Sequence, residues 1–133
     1  MTAPSIRVTE VDFITIPTAD LTAAMDFYEN TLGLSRSSVW QRDGEEPMGA
    51  ELLAGEVTLS LIVASRLGIE FRPHLVPIAL RVDDVEAART SLQEAGVEFL
   101  ADTLDTGVCH MAHFKDPDGN VLMLHRRYAP KHD

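Results

Sequence analysis

Residues 13–24 read FITIPTADLTAA, and 64 positions later residues 77–88 read PIALRVDDVEAA. Four aligned pairs are identical: Ile14 and Ile78, Asp20 and Asp84, Ala23 and Ala87, Ala24 and Ala88. Each copy predicts a strand, a short acidic turn and an amphipathic helix. A repeat of this length indicates a half-domain rather than a solenoid unit. Two matching halves predict a cleft between them, and the repeat marks the positions that line it.

The segments after each copy extend the pattern. Further strands are predicted at Ser37–Trp40, Gly49–Leu53 and Glu56–Val63, and then at Val97–Leu100, Cys109–Phe114 and Val121–His125. Asp20 is expected to cap the first helix, and Asp83 to cap the second in a capping-box arrangement with Glu86. The order is therefore βαβββ, repeated. We predict an α+β fold in a single domain, residues 1–133, with modules at about 9–64 and 74–127.

Bulk composition restricts the partners. The chain has 133 residues, 45% of them hydrophobic, which suffices for a core, and a formal net charge of −10. Nucleic acid and anionic membranes are therefore poor partners, whereas a neutral or cationic small molecule is accepted more easily. The single cysteine, Cys109, excludes an intrachain disulfide, and the N-terminus has no signal-peptide pattern. We expect a cytoplasmic protein with no membrane span.

Three further motifs carry a family resemblance. They are Phe27-Tyr28-Glu29 followed by Leu32-Gly33-Leu34, Ala95-Gly96-Val97-Glu98-Phe99, and above all the turn FKDPDGN at residues 114–120. With the repeat, they resemble the vicinal oxygen chelate superfamily of glyoxalase I, bleomycin-resistance proteins and extradiol dioxygenases. The resemblance spans about residues 9–127. It implies two βαβββ modules that form a cleft between curved mixed sheets, and it leaves the reaction open, because this fold hosts unrelated activities.

The resemblance also implies where a metal would bind. Metal-dependent members place histidine and carboxylate ligands at positions that fall here on Phe13, Pro77, Met123 and, less securely, Ser60. Phenylalanine and proline side chains cannot ligate a divalent metal, and the methionine thioether suits copper(I) instead. We therefore expect no metal and no cofactor.

The replacements suggest a binding site for an organic ligand. Phe13 and Met123 would form an apolar, polarisable floor, to which Trp40 could add an aromatic plate. Glu51 is a candidate for meeting a cationic group, and Ser60 lies near the same cleft. The alternative interpretation is that Phe13 and Met123 fill a closed core.

The histidines offer a second kind of site. The five are His74, His110, His113, His125 and His132. His125 lies two residues after Met123, so strand alternation directs it to the same face. A pair of His125 with His110 could bind a metal or act as acid and base.

Three functions remain open at this point. The first is a metal-independent binding protein of the bleomycin-resistance type, which sequesters an aromatic or cationic compound in an apolar cleft. The second is a lyase, isomerase or dioxygenase that uses a relocated metal or an acid–base pair around His125. The third is a structural or regulatory dimer without a ligand. The resemblance also implies a homodimer.

Overall fold

The computed structural model describes residues 5–130, which fold into two four-stranded mixed sheets and two α-helices. The strands are β1 Phe13–Thr18, β2 Ser35–Trp40, β3 Gly49–Ala54, β4 Val57–Val63, β5 Ile78–Arg81, β6 Leu104–Asp105, β7 Cys109–Lys115 and β8 Val121–Arg127. The α-helices are α1 Leu21–Asp26, extended by a π-helical turn at Phe27–Thr31, and α2 Val85–Glu94, and a short 3-10 helix spans Ala64–Leu67. This architecture confirms the predicted fold class. No helix in the described part is long and apolar enough to span a membrane.

The two sheets have the same topology. The strand order is β1-β4-β3-β2 in the first sheet and β5-β8-β7-β6 in the second. In the first sheet β1 pairs in parallel with β4, and in the second β5 pairs in parallel with β8. That parallel pairing requires a crossover connection, which the helix and the two middle strands supply. The repeat therefore encodes two copies of one topology.

One core joins the two sheets. Ile16 and Leu59 of the first sheet belong to the same buried cluster as Phe114 and Leu122 of the second. The Phe27 ring, just after α1, lies 6.4 Å from the Phe114 ring. The helix-covered faces of both sheets thus turn toward each other, and we call them the inner faces. The opposite face of each sheet is its outer face.

The Asp116–Asn120 turn fastens this arrangement. Tyr28 Oη donates to Asp116 Oδ2 at 2.7 Å, and Thr18 Oγ1 donates to Asp118 Oδ2 at 2.6 Å. Asn120 Nδ2 donates to the Pro17 carbonyl at 2.9 Å, and the Asn120 side chain is fully buried. Buried polar groups are tolerated when they are paired in this way. The turn therefore closes the β7–β8 hairpin and also ties the second sheet to the first.

Two local predictions are wrong. The strand expected at Val97–Leu100 is reduced to one bridge between Phe99 and Phe114, and β6 lies further along the chain. The cap of α2 is Asp84, whose carboxylate accepts from the Ala87 N–H at 3.0 Å, rather than Asp83. Asp20 caps α1 as predicted, in a matching backbone conformation.

Candidate functional site

The outer face of the first sheet gathers four of the predicted residues. Strand register places Thr15, Ser60 and Glu51 in one row across β1, β4 and β3. Trp40 lies in the adjacent row, opposite Gly49, and Phe13 lies in the row on the other side. Residues paired across strands point to the same face. Phe13, Trp40, Glu51 and Ser60 therefore share one surface.

Trp40 is held in place on this surface. Its indole Nε1–H donates to Glu51 Oε1 at 3.0 Å. A Cβ on Gly49 would lie 3.3 Å from Trp40 Cε3 and would clash with the Leu61 carbonyl oxygen. The ring thus packs across a position where only glycine leaves room. Beside it, the Ser60 hydroxyl is buried and has no hydrogen-bond partner among the described residues.

Phe13 presents an apolar edge next to this cluster. It is 48% exposed, and Leu53 in the same row is 46% exposed. Exposed apolar side chains that share a sheet face with a positioned indole are typical of a binding surface rather than of a closed core.

The residues at the expected metal positions do not fit a divalent metal. Phe13 offers a hydrocarbon ring and Met123 a soft thioether, whereas Ser60 contributes a single neutral oxygen. Within residues 5–130, no group of three or more histidine, cysteine, aspartate or glutamate side chains converges in a way that could hold an ion.

The outer face of the second sheet holds Met123 and His125. Met123 pairs with Ala79 on β5 and with His113 on β7, and His125 pairs with Arg81 and Met111. His113, which sequence reasoning passed over, therefore shares the face of Met123. The turn at residues 116–120 could have revealed this, because it fixes the register of the β7–β8 hairpin.

The alternative pair of His110 and His125 does not form. His110 is opposite Arg126 and hence on the other face of the sheet. There its Nε2 lies 3.4 Å from Asp105 Oδ2, and its ring lies 4.9 Å from the Tyr128 ring. An acid–base site built on these two histidines is therefore incompatible with this register. His132 lies outside the described residues.

The two outer faces belong to opposite sides of the molecule. The inner faces meet in the shared core, so the first-sheet cluster and the Met123–His125 surface point away from each other. The hydrogen bonds that join the two sheets all run through the Asp116–Asn120 turn, and none links the outer faces within residues 5–130. The residues predicted to line one cleft are thus divided between two surfaces.

The described part contains at least two cavities. The larger, of about 620 Å³, opens between the inner faces and is mainly apolar, with Ile14, Leu59, Ile78 and Leu124 in its lining. It contains none of the predicted site residues, although the repeat pair Ile14 and Ile78 could have indicated it. The smaller, of about 460 Å³, is lined by Arg81, His125, Arg126, Arg127 and Ala129.

Two tyrosines are hydrogen-bonded to carboxylates, Tyr28 to Asp116 and Tyr128 to Asp105, and these contacts shift pKa values. Burial, together with the nearby Asp116 carboxylate, raises the pKa of Tyr28 far above its ordinary value, so its phenol stays neutral and donates. Hydrogen bonds from the Gly107 N–H and the Tyr128 hydroxyl lower the pKa of Asp105. Tyr28 and Asp105 both lie away from the outer faces.

Comparison with known proteins agrees with this architecture. The family model for the glyoxalase/bleomycin resistance protein/dioxygenase superfamily matches residues 10–124. The chain belongs to this superfamily. No curated protein sequence matches it.

Solved structures of the superfamily are similar along most of the chain. TnmS3, an antibiotic binding protein from Streptomyces sp. CB03234, is 27% identical with a TM-score of 0.75, over 92% of this chain and 98% of TnmS3. A superfamily member from Sphaerobacter thermophilus DSM 20745 is 26% identical with a TM-score of 0.74, over 89% of this chain and 97% of that one. A glyoxalase/bleomycin resistance protein, also from Streptomyces sp. CB03234, is 27% identical with a TM-score of 0.70, over 88% of this chain and all of that one.

Proposed function

We propose that this superfamily member binds and sequesters a small aromatic or cationic molecule without the help of a metal. The observation that carries the proposal is the first-sheet surface, where Glu51 fixes the Trp40 ring on the same outer face that exposes Phe13. An indole held by a carboxylate offers a flat apolar plate with a negative charge at its edge, which suits an aromatic cation. The antibiotic-binding neighbour TnmS3 supports the same class of function.

Ligand binding can be measured through the only tryptophan. We expect neutral or cationic polycyclic aromatic compounds to quench or shift the fluorescence of Trp40 and to raise the melting temperature. Phe13→Ala should weaken such binding about tenfold, since it removes an apolar contact worth about 1.4 kcal/mol. Leu67→Ala, which truncates an exposed leucine outside the outer-face rows, is the matched control. No response to a broad panel of such compounds would contradict the proposal.

We further propose that the complete cleft is shared between two copies. The first-sheet outer face of one protomer would face the second-sheet outer face of its partner, bringing Phe13 and Trp40 opposite Met123 and His125. Exposed apolar side chains on both faces, such as Phe13 and Leu104, support this association. Their charges are also complementary, because Glu51 lies on one face and Arg81 on the other.

Mixing two defective variants tests the shared cleft. Phe13→Asp should damage one wall and Met123→Asp the other, so each variant alone binds poorly. In heterodimers one cleft carries both lesions and the other carries neither, and random mixing restores about a quarter of the clefts. Recovery of binding after the variants are unfolded and refolded together is the expected result. A mixture that stays inactive, or a monomer by light scattering, would contradict sharing.

A cytoplasmic location is part of the proposal. It is supported by the lone Cys109, which is buried and free. Cell fractionation of the source organism with an antibody tests it, and recovery in an extracellular fraction would contradict it.

A further inference from the structure

The smaller cavity lies where β5 and β8 end in the second sheet, and it is markedly basic for so acidic a chain. The whole protein carries a formal net charge of −10, yet three of the five residues that line this cavity are arginines and none is acidic. Because acidic residues outnumber basic ones in the chain, a cavity lined at random would contain more acidic than basic side chains. A concentration of positive charge in an acidic protein calls for a specific reason.

Strand register brings the cationic side chains together. Arg81 at the end of β5 pairs with His125 on β8, and Arg127 follows two residues later on the same face. Neighbouring strands lie about 4.8 Å apart, and alternate residues of a strand about 6.6 Å apart. The guanidinium groups of Arg81 and Arg127 can therefore flank one ligand group, with a ring N–H of His125 between them.

The arginines are not used up by the fold. The four ion pairs found within residues 5–130 involve Arg36, Arg66, Arg72 and His110, and none includes Arg81 or Arg127. Arg127 donates from Nη2 to the Pro130 carbonyl at 3.1 Å, while its Nε–H is buried without an acceptor in the described part. A buried charged donor that lacks an acceptor costs stability unless an anion satisfies it.

The surface next to the cavity is apolar. Met111 pairs with His125 across the hairpin, and Met123 lies two residues before it on the same face. Both side chains are partly exposed. Methionine side chains adapt their shape to a ligand and make favourable contacts with aromatic rings.

We propose that this cavity binds the acidic group of an aromatic carboxylate, whose ring lies on Met111 and Met123. The planar arginine fork accepts a carboxylate in a bidentate manner, which gives direction as well as affinity. This inference deepens the proposed function by adding an anionic group to the ligand, on the wall opposite Trp40 and Glu51. It rests on the proposed function only for the assignment of Trp40 and Glu51 to the opposite wall of the cleft.

A series of three naphthalene probes isolates the charge. Naphthalene-2-carboxylate, naphthalene-2-carboxamide and 2-naphthylmethylamine share one ring system and carry negative, zero and positive charge. By titration calorimetry we expect the carboxylate to bind at least tenfold more tightly than the amide, and to lose this advantage as salt rises from 50 to 500 mM. Equal binding of carboxylate and amide would overturn the proposal.

Variants locate the charge effect. Arg81→Gln, at an exposed position where folding should be unaffected, should weaken the carboxylate about tenfold and the amide less than twofold. Arg72→Gln, in the connector between the sheets, is the control and should change neither. Unchanged carboxylate affinity in Arg81→Gln would refute the site. Inorganic phosphate should compete only weakly, and phosphate that binds as tightly as the carboxylate would refute the aromatic part.

The outcomes separate this inference from the proposed function. If the amide and the amine bind and the carboxylate does not, the binding function stands and the acidic-group inference fails. If the carboxylate binds through Arg81 while Phe13→Ala leaves it unaffected, the basic cavity stands and the aromatic wall of the first sheet is wrong. If none of the probes binds or stabilises the protein, both are wrong.

Discussion

The two outer faces have the same strand topology and different chemistry. One row crosses the first sheet as Pro17, Ile62, Gly49 and Trp40, and its counterpart crosses the second as Arg81, His125, Met111 and Leu104. The neighbouring row reads Thr15, Ser60 and Glu51 in one sheet, and Ala79, Met123 and His113 in the other. The outer face of the first sheet therefore combines an indole with a carboxylate, whereas that of the second combines methionines with arginine and histidine side chains.

The inner faces differ much less. Ile14 and Ile78 occupy equivalent positions on β1 and β5, and both line the space between the sheets. Ala24 and Ala88 both pack on the shared core from their helices. A repeat that keeps its inner positions and changes its outer ones retains the packing while the two outer surfaces differ in chemistry. The comparison therefore favours the outer faces as the place of the proposed ligand binding.

Substitution of Gly49 gives the largest expected effect and tests how the first outer face is built. Gly49→Ala places a Cβ against the Leu61 carbonyl oxygen and 3.3 Å from Trp40 Cε3. We expect a loss of about 3 kcal/mol in the free energy of unfolding, because a backbone group cannot move away cheaply. Met111→Ala, at the equivalent position of the second sheet, should cost about 1 kcal/mol, since that side chain is only partly buried. Urea denaturation measures both losses. Equal losses would show that close backbone packing at Gly49 does not distinguish the first outer face from the second.

The Tyr28–Asp116 contact between the two sheets can be tested by unfolding the protein at alkaline pH. Burial and the Asp116 carboxylate raise the pKa of Tyr28 in the folded protein, whereas an unfolded tyrosine ionises near pH 10. The folded state therefore holds a proton that the unfolded state releases. Stability from this group is fully present below pH 10 and is lost above it, by up to about 1.4 kcal/mol per pH unit.

Tyr28→Phe should remove this slope while lowering stability at neutral pH by about 1.5 kcal/mol. Both proteins should carry Tyr128→Phe, because a hydrogen bond to Asp105 also raises the pKa of Tyr128. Parallel urea titrations at pH 8 to 11 measure the difference. An unchanged slope would mean that Tyr28 is not held neutral between the sheets.

Much of the fold could be predicted because the repeat reports on local patterns. Asp20 was identified as a cap from its place between strand and helix, and the repeat itself points to Asp84 as its equivalent. The capping-box pattern at Asp83 competed with the repeat and led to the wrong residue. Val97–Leu100 had strand composition, but only Phe99 reaches a partner, on β7. Pairing with a distant strand, rather than propensity, decided that segment.

The site was harder to predict, because faces depend on register and on long-range packing. Alternation correctly related Met123 to His125 within one strand. It could not choose between His110 and His113 on the next strand, which the hairpin turn decides. The direction in which each sheet faces depends on the core shared between Phe27 and Phe114, far apart in sequence. Local periodicity therefore could not show that the outer faces of the two sheets point away from each other.

The smallest expected effect separates the two faces of β7 and β8. His125→Ala should weaken binding of naphthalene-2-carboxylate about threefold, since it removes one of the donors that line the basic cavity. His110→Ala should change that affinity less than twofold, because His110 lies on the other face beside Asp105 and Tyr128. Calorimetric titration of both variants under identical buffer and salt provides the comparison. If His110→Ala weakened binding as much as His125→Ala, the placement of the carboxylate beside Arg81, His125 and Arg127 on the outer-face side of the cavity would be wrong.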